Sequence, residues 1–191
     1  MNDLIARIAN DLTAAGKKFA LVGGHAVSAR TEPRFTRDID LAVAVADDRD
    51  AETLVRDLMT RGYRVLALLE QETTRRLATV RLENDALRGS IVDLLFATTG
   101  IEPEIVAAAT KLRVGATLEL PVATVGHLLA MKTLSVDDTQ RPQDRMDITA
   151  LLGAATPDDV RAAEQALARI TERRFHRGRD LAAMFARMRT S

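Results

Sequence analysis

Apolar residues Leu4, Ile5, Ile8 and Leu12 recur at helical spacing between Asn2 and Ala15, and Gly16 ends the pattern. Phe19-Ala20-Leu21-Val22 is a continuous apolar run that predicts a buried strand, broken by Gly23-Gly24. His25 to Arg30 reads as a short helix behind those glycines, and Thr31 to Thr36, with Pro33, as a loop. Arg37 to Val45 predicts a second strand. Asp47-Asp48 is an N-cap signal for a helix through Leu54, Leu58 and Met59 that stops at Gly62. Strands are predicted over Tyr63–Leu69, Leu77–Glu83 and Ser90–Phe96, the last two joined by a polar turn around Asn84-Asp85 and Gly89. Pro103 to Thr110 reads as a helix and Thr117 to Val122 as a short strand. Beyond Pro121 the pattern is helical, at about Val125–Val136, Gln143–Leu152, Pro157–Thr171 and Arg177–Arg189. The chain therefore reads as α/β (α+β): a sheet domain over residues 1–122 and a helical domain over 123–191.

Asp38 and Asp40 interrupt the second strand pattern, Arg37-Asp38-Ile39-Asp40-Leu41-Ala42-Val43. Side chains alternate across a strand, so Ile39, Leu41 and Val43 can face a core while both carboxylates share the other face. Adjacent carboxylates repel, and burying an unpaired charge is costly, so the pair points to a divalent cation between them. Asp93 adds a third acid, in Ser90-Ile91-Val92-Asp93-Leu94-Leu95-Phe96, where an aspartate is disfavoured by propensity and by desolvation. One such residue alone reads as a strand-end cap or an arginine partner. Three on two strands, behind a Gly-Gly turn, read as a metal site for phosphoryl transfer. In a two-metal site the ions lie about 3.5–4 Å apart and need carboxylates from more than one strand. Gly23-Gly24 suits the phosphates, because backbone N–H groups and a helix N-terminus can approach them closely.

The spacing from Gly23-Gly24 to Asp38-Ile39-Asp40-Leu41 resembles the signature of the polymerase-β-type nucleotidyltransferase superfamily, with Asp93 in the place of its later acid. Gly23-Gly24-His25-Ala26-Val27 and Arg34-Phe35-Thr36-Arg37-Asp38-Ile39-Asp40 are most similar to the AbiEii/AbiGii toxin branch, which includes the MenT-like toxins of mycobacteria. The resemblance covers roughly residues 17–155. It implies a mixed sheet flanked by helices with a C-terminal helical bundle. It also implies an NTP substrate and a toxin of a toxin–antitoxin or phage-defence system, with a cognate antitoxin and tRNA as acceptor.

In the helical half, Thr124 can cap a helix whose apolar stripe is Val125, Leu128, Leu129 and Val136, and Lys132 falls on that stripe. Lys132 reads either as a snorkelling lysine or as a compact charge aimed at a triphosphate. Asp144 and Asp147 lie one helical turn apart in Arg141-Pro142-Gln143-Asp144-Arg145-Met146-Asp147-Ile148. The resemblance implies an active-site lysine at Lys132 and an active-site aspartate at Asp147, with Asp144 second. Holding Lys132 or Arg145 in place is the alternative for either acid. Arg34 and Arg37 flank the acids as phosphate ligands or charge compensation, with Arg37 chosen for nucleotide binding. Arg81 reads as a phosphate ligand or an ion-pair partner. His25 reads as a cap or core residue ahead of a substrate contact, and His127 and His176 receive no role.

The chain has 191 residues and no cysteine, which excludes disulfides, thiolate metal sites and cysteine nucleophiles. Aromatics make up 3% of it, too few for a base-stacking platform. No run is long and apolar enough to span a bilayer and no signal peptide opens the sequence, so no membrane contact and a cytoplasmic location are expected. Net charge is zero, yet from Arg161 onward eight arginines face three acids, a net of +5. That tail reads as a solvated arginine face or as a phosphate-backbone footprint.

The leading expectation is a Mg²⁺-dependent (or Mn²⁺-dependent) nucleotidyltransferase moving NMP from NTP to an acceptor hydroxyl, the tRNA 3′ end. Asp38, Asp40 and Asp93 are its metal ligands, Gly23, Gly24, Arg37 and Lys132 its nucleotide contacts, and Asp147 a further catalytic residue. The alternatives are an antibiotic nucleotidyltransferase, a protein-AMPylating enzyme, or a silent binding domain, which would gain nothing from three mutually repelling aspartates.

Overall fold

The computed structural model describes residues 2–85, 90–115, 118–137 and 142–190. Gly89, Thr117 and Arg141, which entered the sequence reading, lie outside them. Helix α1 (Asn2–Ala14) buries Ile5, Ile8 and Leu12, the stripe its spacing predicts. Strand β1 (Phe19–Val22) is buried at every position and runs straight into α2 (Gly23–Arg30). The glycines thus form the first turn of that helix instead of preceding it.

Strand β2 (Ile39–Val43) begins after Asp38, so Asp38 stands at the lead-in and Asp40 within the strand. Helix α3 (Asp48–Thr60) is capped by Asp47, whose side chain accepts from the Asp50 N–H. Strands β3 (Arg64–Glu70), β4 (Leu77–Glu83) and β5 (Val92–Leu95) follow, then α4 (Glu102–Ala108). The helix predicted to reach Thr110 stops at Ala108, because Thr110 opens a strand the pattern did not predict. That strand, β6 (Thr110–Val114), pairs antiparallel with β7 (Leu118–Val122). It lies at one end of the sheet, and Lys111 and Arg113 are the edge charges that discourage further pairing while diluting the apolar signal.

The seven strands run β3-β4-β5-β2-β1-β7-β6, with β1–β7 and β2–β5 parallel and the other pairs antiparallel. The fold is α/β with a mixed sheet, as expected. After Val122 the described elements are all helical: α5 (Val125–Ser135), α6 (Pro142–Ala154), α7 (Pro157–Glu172) and α8 (Leu181–Met188). Thr124 caps α5, and a capping box between Thr156 and Asp159 opens α7. Helix α5 packs on α6, α7 and α8, and α2 touches both α5 and α6. One hydrophobic cluster runs from Ile5 through the sheet to Leu128, Leu151 and Phe185. Helix α2 therefore joins β2, which carries Asp40, to the helices that carry Lys132 and Asp147.

Candidate active site

The acids are set by strand register. Val22 pairs with Asp40, Asp40 with Asp93, and Asp93 with Arg81, so a single row crosses β1, β2, β5 and β4. Register partners point to the same face of a sheet, which places Asp40 and Asp93 side by side. Asp93 is 8% exposed and keeps its place in the apolar strand through a fork from Arg81. Arg81 Nε donates to its Oδ1 at 2.8 Å and Nη2 donates to Oδ2 at 2.7 Å. Hydrogen bonding to Asp93 raises the Arg81 pKa above its ordinary value; burial opposes this, and the Asp38 and Asp40 charges add to it. The ion-pair alternative for Arg81 is the arrangement seen.

Gly23 and Gly24 join this row to a second cluster. Gly23 has φ +63°, and a Cβ there would lie 1.9 Å from Asp40 Oδ2. At Gly24 a Cβ would lie 2.8 Å from both Arg34 Nη2 and Thr36 Oγ1. Arg34 in turn donates to Asp147 from Nε (2.7 Å to Oδ1) and Nη2 (2.8 Å to Oδ2). Lys132 Nζ contacts Asp147 Oδ2 at 2.8 Å and Asp144 Oδ1 at 2.7 Å, and Ser135 Oγ donates to Asp144 Oδ2 at 2.9 Å. Burial opposes ionisation of Asp147, yet the hydrogen bonds from Arg34 and Lys132 outweigh it and lower its pKa. The pattern-predicted Lys132, Asp144 and Asp147 therefore meet in one network. Arg34 extends it to the side of the glycine turn, where Thr36 also lies.

Arg37 stands apart from that network. It is exposed and lies 5.7 Å from the centroid of the Phe35 ring, itself 79% exposed. His25 is half-buried, and its Nε2 is buried with no hydrogen-bond partner among the described residues. Burial, then the Arg34 charge, lowers its pKa, so it is neutral near pH 7. Of the tail arginines, Arg173 donates to the Gly100 carbonyl and Glu104, Arg179 to the Leu134 and Val136 carbonyls, and Arg189 to Glu164. Arg179 and Arg189 tie elements of the helical half to one another, and Arg173 ties that half to the Gly100 turn and α4.

The sequence matches, over residues 6–189, the family described as nucleotidyl transferase AbiEii toxin of type IV toxin–antitoxin systems. The chain belongs to the AbiEii nucleotidyltransferase toxin family. No curated protein matches it. A nucleotidyltransferase-like antigenic protein from Paracoccidioides brasiliensis superposes with TM-score 0.54 at 16% identity, over 97% of this chain and 91% of that one. The antibiotic-resistance factor ANT(2″)-Ia gives TM-score 0.55 at 18% identity, over 91% and 92%. The lincosamide antibiotic adenylyltransferase LnuA gives 0.51 at 13%, over 81% and 98%. At these identities the likeness is one of fold. Family membership makes this chain a nucleotidyltransferase, and with it come an NTP substrate and a toxin–antitoxin setting.

The metal usual for such a nucleotidyltransferase fits the chemistry of this site. Carboxylate oxygens are the hard donors a Mg²⁺ or Mn²⁺ ion takes, and Asp40 and Asp93 are brought together in register with Asp38 at the lead-in. The space beside Asp40 is one that any side chain on Gly23 would fill. Among the described residues no three acids are gathered closely enough to form a ready cage, and Asp93 is turned to Arg81. The partnership of Arg34 with Asp147 is not legible in the sequence. Arg34 lies 113 residues from Asp147, and no local pattern reports such a pair. No described helix is long and apolar enough to cross a membrane.

Proposed function

We propose that this AbiEii-family enzyme is a Mg²⁺-dependent toxin that moves an NMP from NTP to the 3′-terminal hydroxyl of tRNA in the cytoplasm, held in check by a cognate antitoxin. The observation that supports the chemistry is the Asp40–Asp93 register pair beside Gly23, with Asp38 at the mouth of the same strand. Asp38, Asp40 and Asp93 would hold the divalent ion, which supplies charge neutralisation for the triphosphate and acidifies the attacking hydroxyl. Gly23 and Gly24 let the backbone N–H groups at the start of α2 approach phosphate oxygens. Lys132, oriented by Asp144 and Asp147, and Arg37 from the exposed loop bind the triphosphate. The acceptor oxygen bonds to the α-phosphorus, the bond to the β-phosphate oxygen breaks, pyrophosphate leaves, and Asp93 accepts the hydroxyl proton. The tRNA acceptor rests on the resemblance of the glycine and Asp-Ile-Asp segments to MenT-like toxins. The sheet half (1–122) carries the metal ligands and the helical half (123–191) the lysine and its acids.

The test is incubation with each α-labelled NTP and Mg²⁺, separately with total RNA, antibiotics and cell protein. Label on tRNA that vanishes in Asp40→Ala supports the proposal. Label on drugs or protein alone moves the acceptor to that class. Absence of transfer to any acceptor, with no metal-dependent NTP binding, sinks it.

A further inference from the structure

Arg81 holds the carboxylate that a metal ion would need. Both Asp93 oxygens accept from its guanidinium, at 2.8 and 2.7 Å, and the two residues are register partners on adjacent antiparallel strands. The contact is therefore built into the sheet, unlike a chance meeting of surface side chains. Asp40 is the register partner of Asp93 on the opposite side, so this cation stands next to the paired acids. Asp93 is 8% exposed and sits beside Asp40, an arrangement whose repulsion the Arg81 charge eases.

A divalent ion against Asp93 would lie close to this guanidinium, and like charges at such range repel strongly in a partly desolvated site. We propose that Arg81 is the resident counter-ion of Asp93: it holds that carboxylate and stabilises the sheet without metal, and it competes with the incoming divalent cation. The inference rests on the metal-site reading above and adds a positioning residue to it. Linkage makes the competition reciprocal. The part of the Arg81–Asp93 interaction that metal displaces is subtracted from metal affinity, and bound metal weakens the Arg81 fork by the same factor.

The experiment measures Mn²⁺ binding to the full chain, from the electron paramagnetic resonance signal of free Mn²⁺, together with unfolding temperature with and without Mn²⁺. Arg81→Gln should bind Mn²⁺ about tenfold more tightly, a coupling of ordinary size. It should also melt lower than wild type without metal and gain a larger shift with it. In an Asp93→Asn background the same substitution should change Mn²⁺ affinity little. Arg81→Lys keeps the charge but loses the fork, so it should fall between wild type and Arg81→Gln, and it reads the effect if Arg81→Gln folds poorly. Unchanged or weaker Mn²⁺ binding in folded Arg81→Gln and Arg81→Lys, with wild type binding normally, overturns the inference alone. Failure of wild type and both variants to bind Mn²⁺ overturns the metal reading and the inference with it.

Discussion

Gly23 and Asp40 are in such close apposition that a Cβ on the glycine would lie 1.9 Å from the carboxylate oxygen. Backbone at φ +63° adds a second reason for glycine. Gly23→Ala is therefore predicted to destabilise the fold by about 1–3 kcal/mol through overpacking and backbone strain together. It should also abolish transfer by moving Asp40. At Gly24 the nearest atoms belong to side-chain ends, Arg34 Nη2 and Thr36 Oγ1 at 2.8 Å, with Thr36 Cβ at 3.0 Å. The overlap is smaller than at Gly23 and the backbone is not at positive φ, so Gly24→Ala should cost less. Chemical denaturation of the two variants beside wild type checks the order.

Asp40→Asn removes one negative donor while keeping the shape of the side chain. Transfer should fall by at least about a hundredfold, the scale on which metal sites lose function when a ligand or its support is altered. Mn²⁺-dependent thermal stabilisation should be lost with it. Retained stabilisation by Mn²⁺, read by thermal unfolding, would remove Asp40 from the ligand set.

Much of this site was legible because chemistry left marks against pattern. Asp38, Asp40 and Asp93 stood out as charges in apolar runs, and Lys132 as a charge on an apolar stripe. The sheet order that makes Asp40 and Asp93 neighbours is not local information: β2 and β5 are separated in sequence by α3, β3 and β4. The Arg81 fork follows from that order and so was readable only as one of two alternatives. The edge strand β6 was hidden by Lys111 and Arg113, the charges that suit it to an edge. The arginine-rich tail looked uniform, yet Arg179 donates to two carbonyls at the end of α5, a role set by tertiary packing.

Asp147 gives a pH prediction. Its side chain is 1% exposed and its pKa is lowered from 3.8: burial pushes the other way, and the hydrogen bonds from Arg34 and Lys132 prevail. A folded-state pKa below the unfolded one means the unfolded chain binds more protons, so stability rises with pH through this range. The contribution is fully present above about pH 5, one unit beyond the unfolded value, and is lost as pH falls through the lower, folded-state pKa. Asp147→Asn leaves Lys132 with Asp144 alone and Arg34 without its carboxylate. It should destabilise by about 3–5 kcal/mol at neutral pH, the cost of breaking a buried ion pair. It should also flatten the stability profile below pH 4 relative to wild type. Equilibrium urea unfolding between pH 3 and 7 measures both effects.

Arg34 and Arg37 separate structure from binding within one loop. Arg34 lies beside Gly24 and forks to buried Asp147, so Arg34→Ala should lower the unfolding temperature and transfer together. Arg37 is exposed and its contact is with the Phe35 ring at 5.7 Å, a cation–π pair worth about 0.5–1 kcal/mol at an exposed site. Arg37→Ala should therefore leave the unfolding temperature within a degree or two, since surface changes rarely exceed about 0.5 kcal/mol. On the proposed reading it raises KM for NTP several-fold with kcat largely kept, because a phosphate contact made equally in ground and transition states contributes uniform binding. An unchanged KM for NTP with a raised KM for the RNA acceptor would reassign Arg37 from the nucleotide to the acceptor strand.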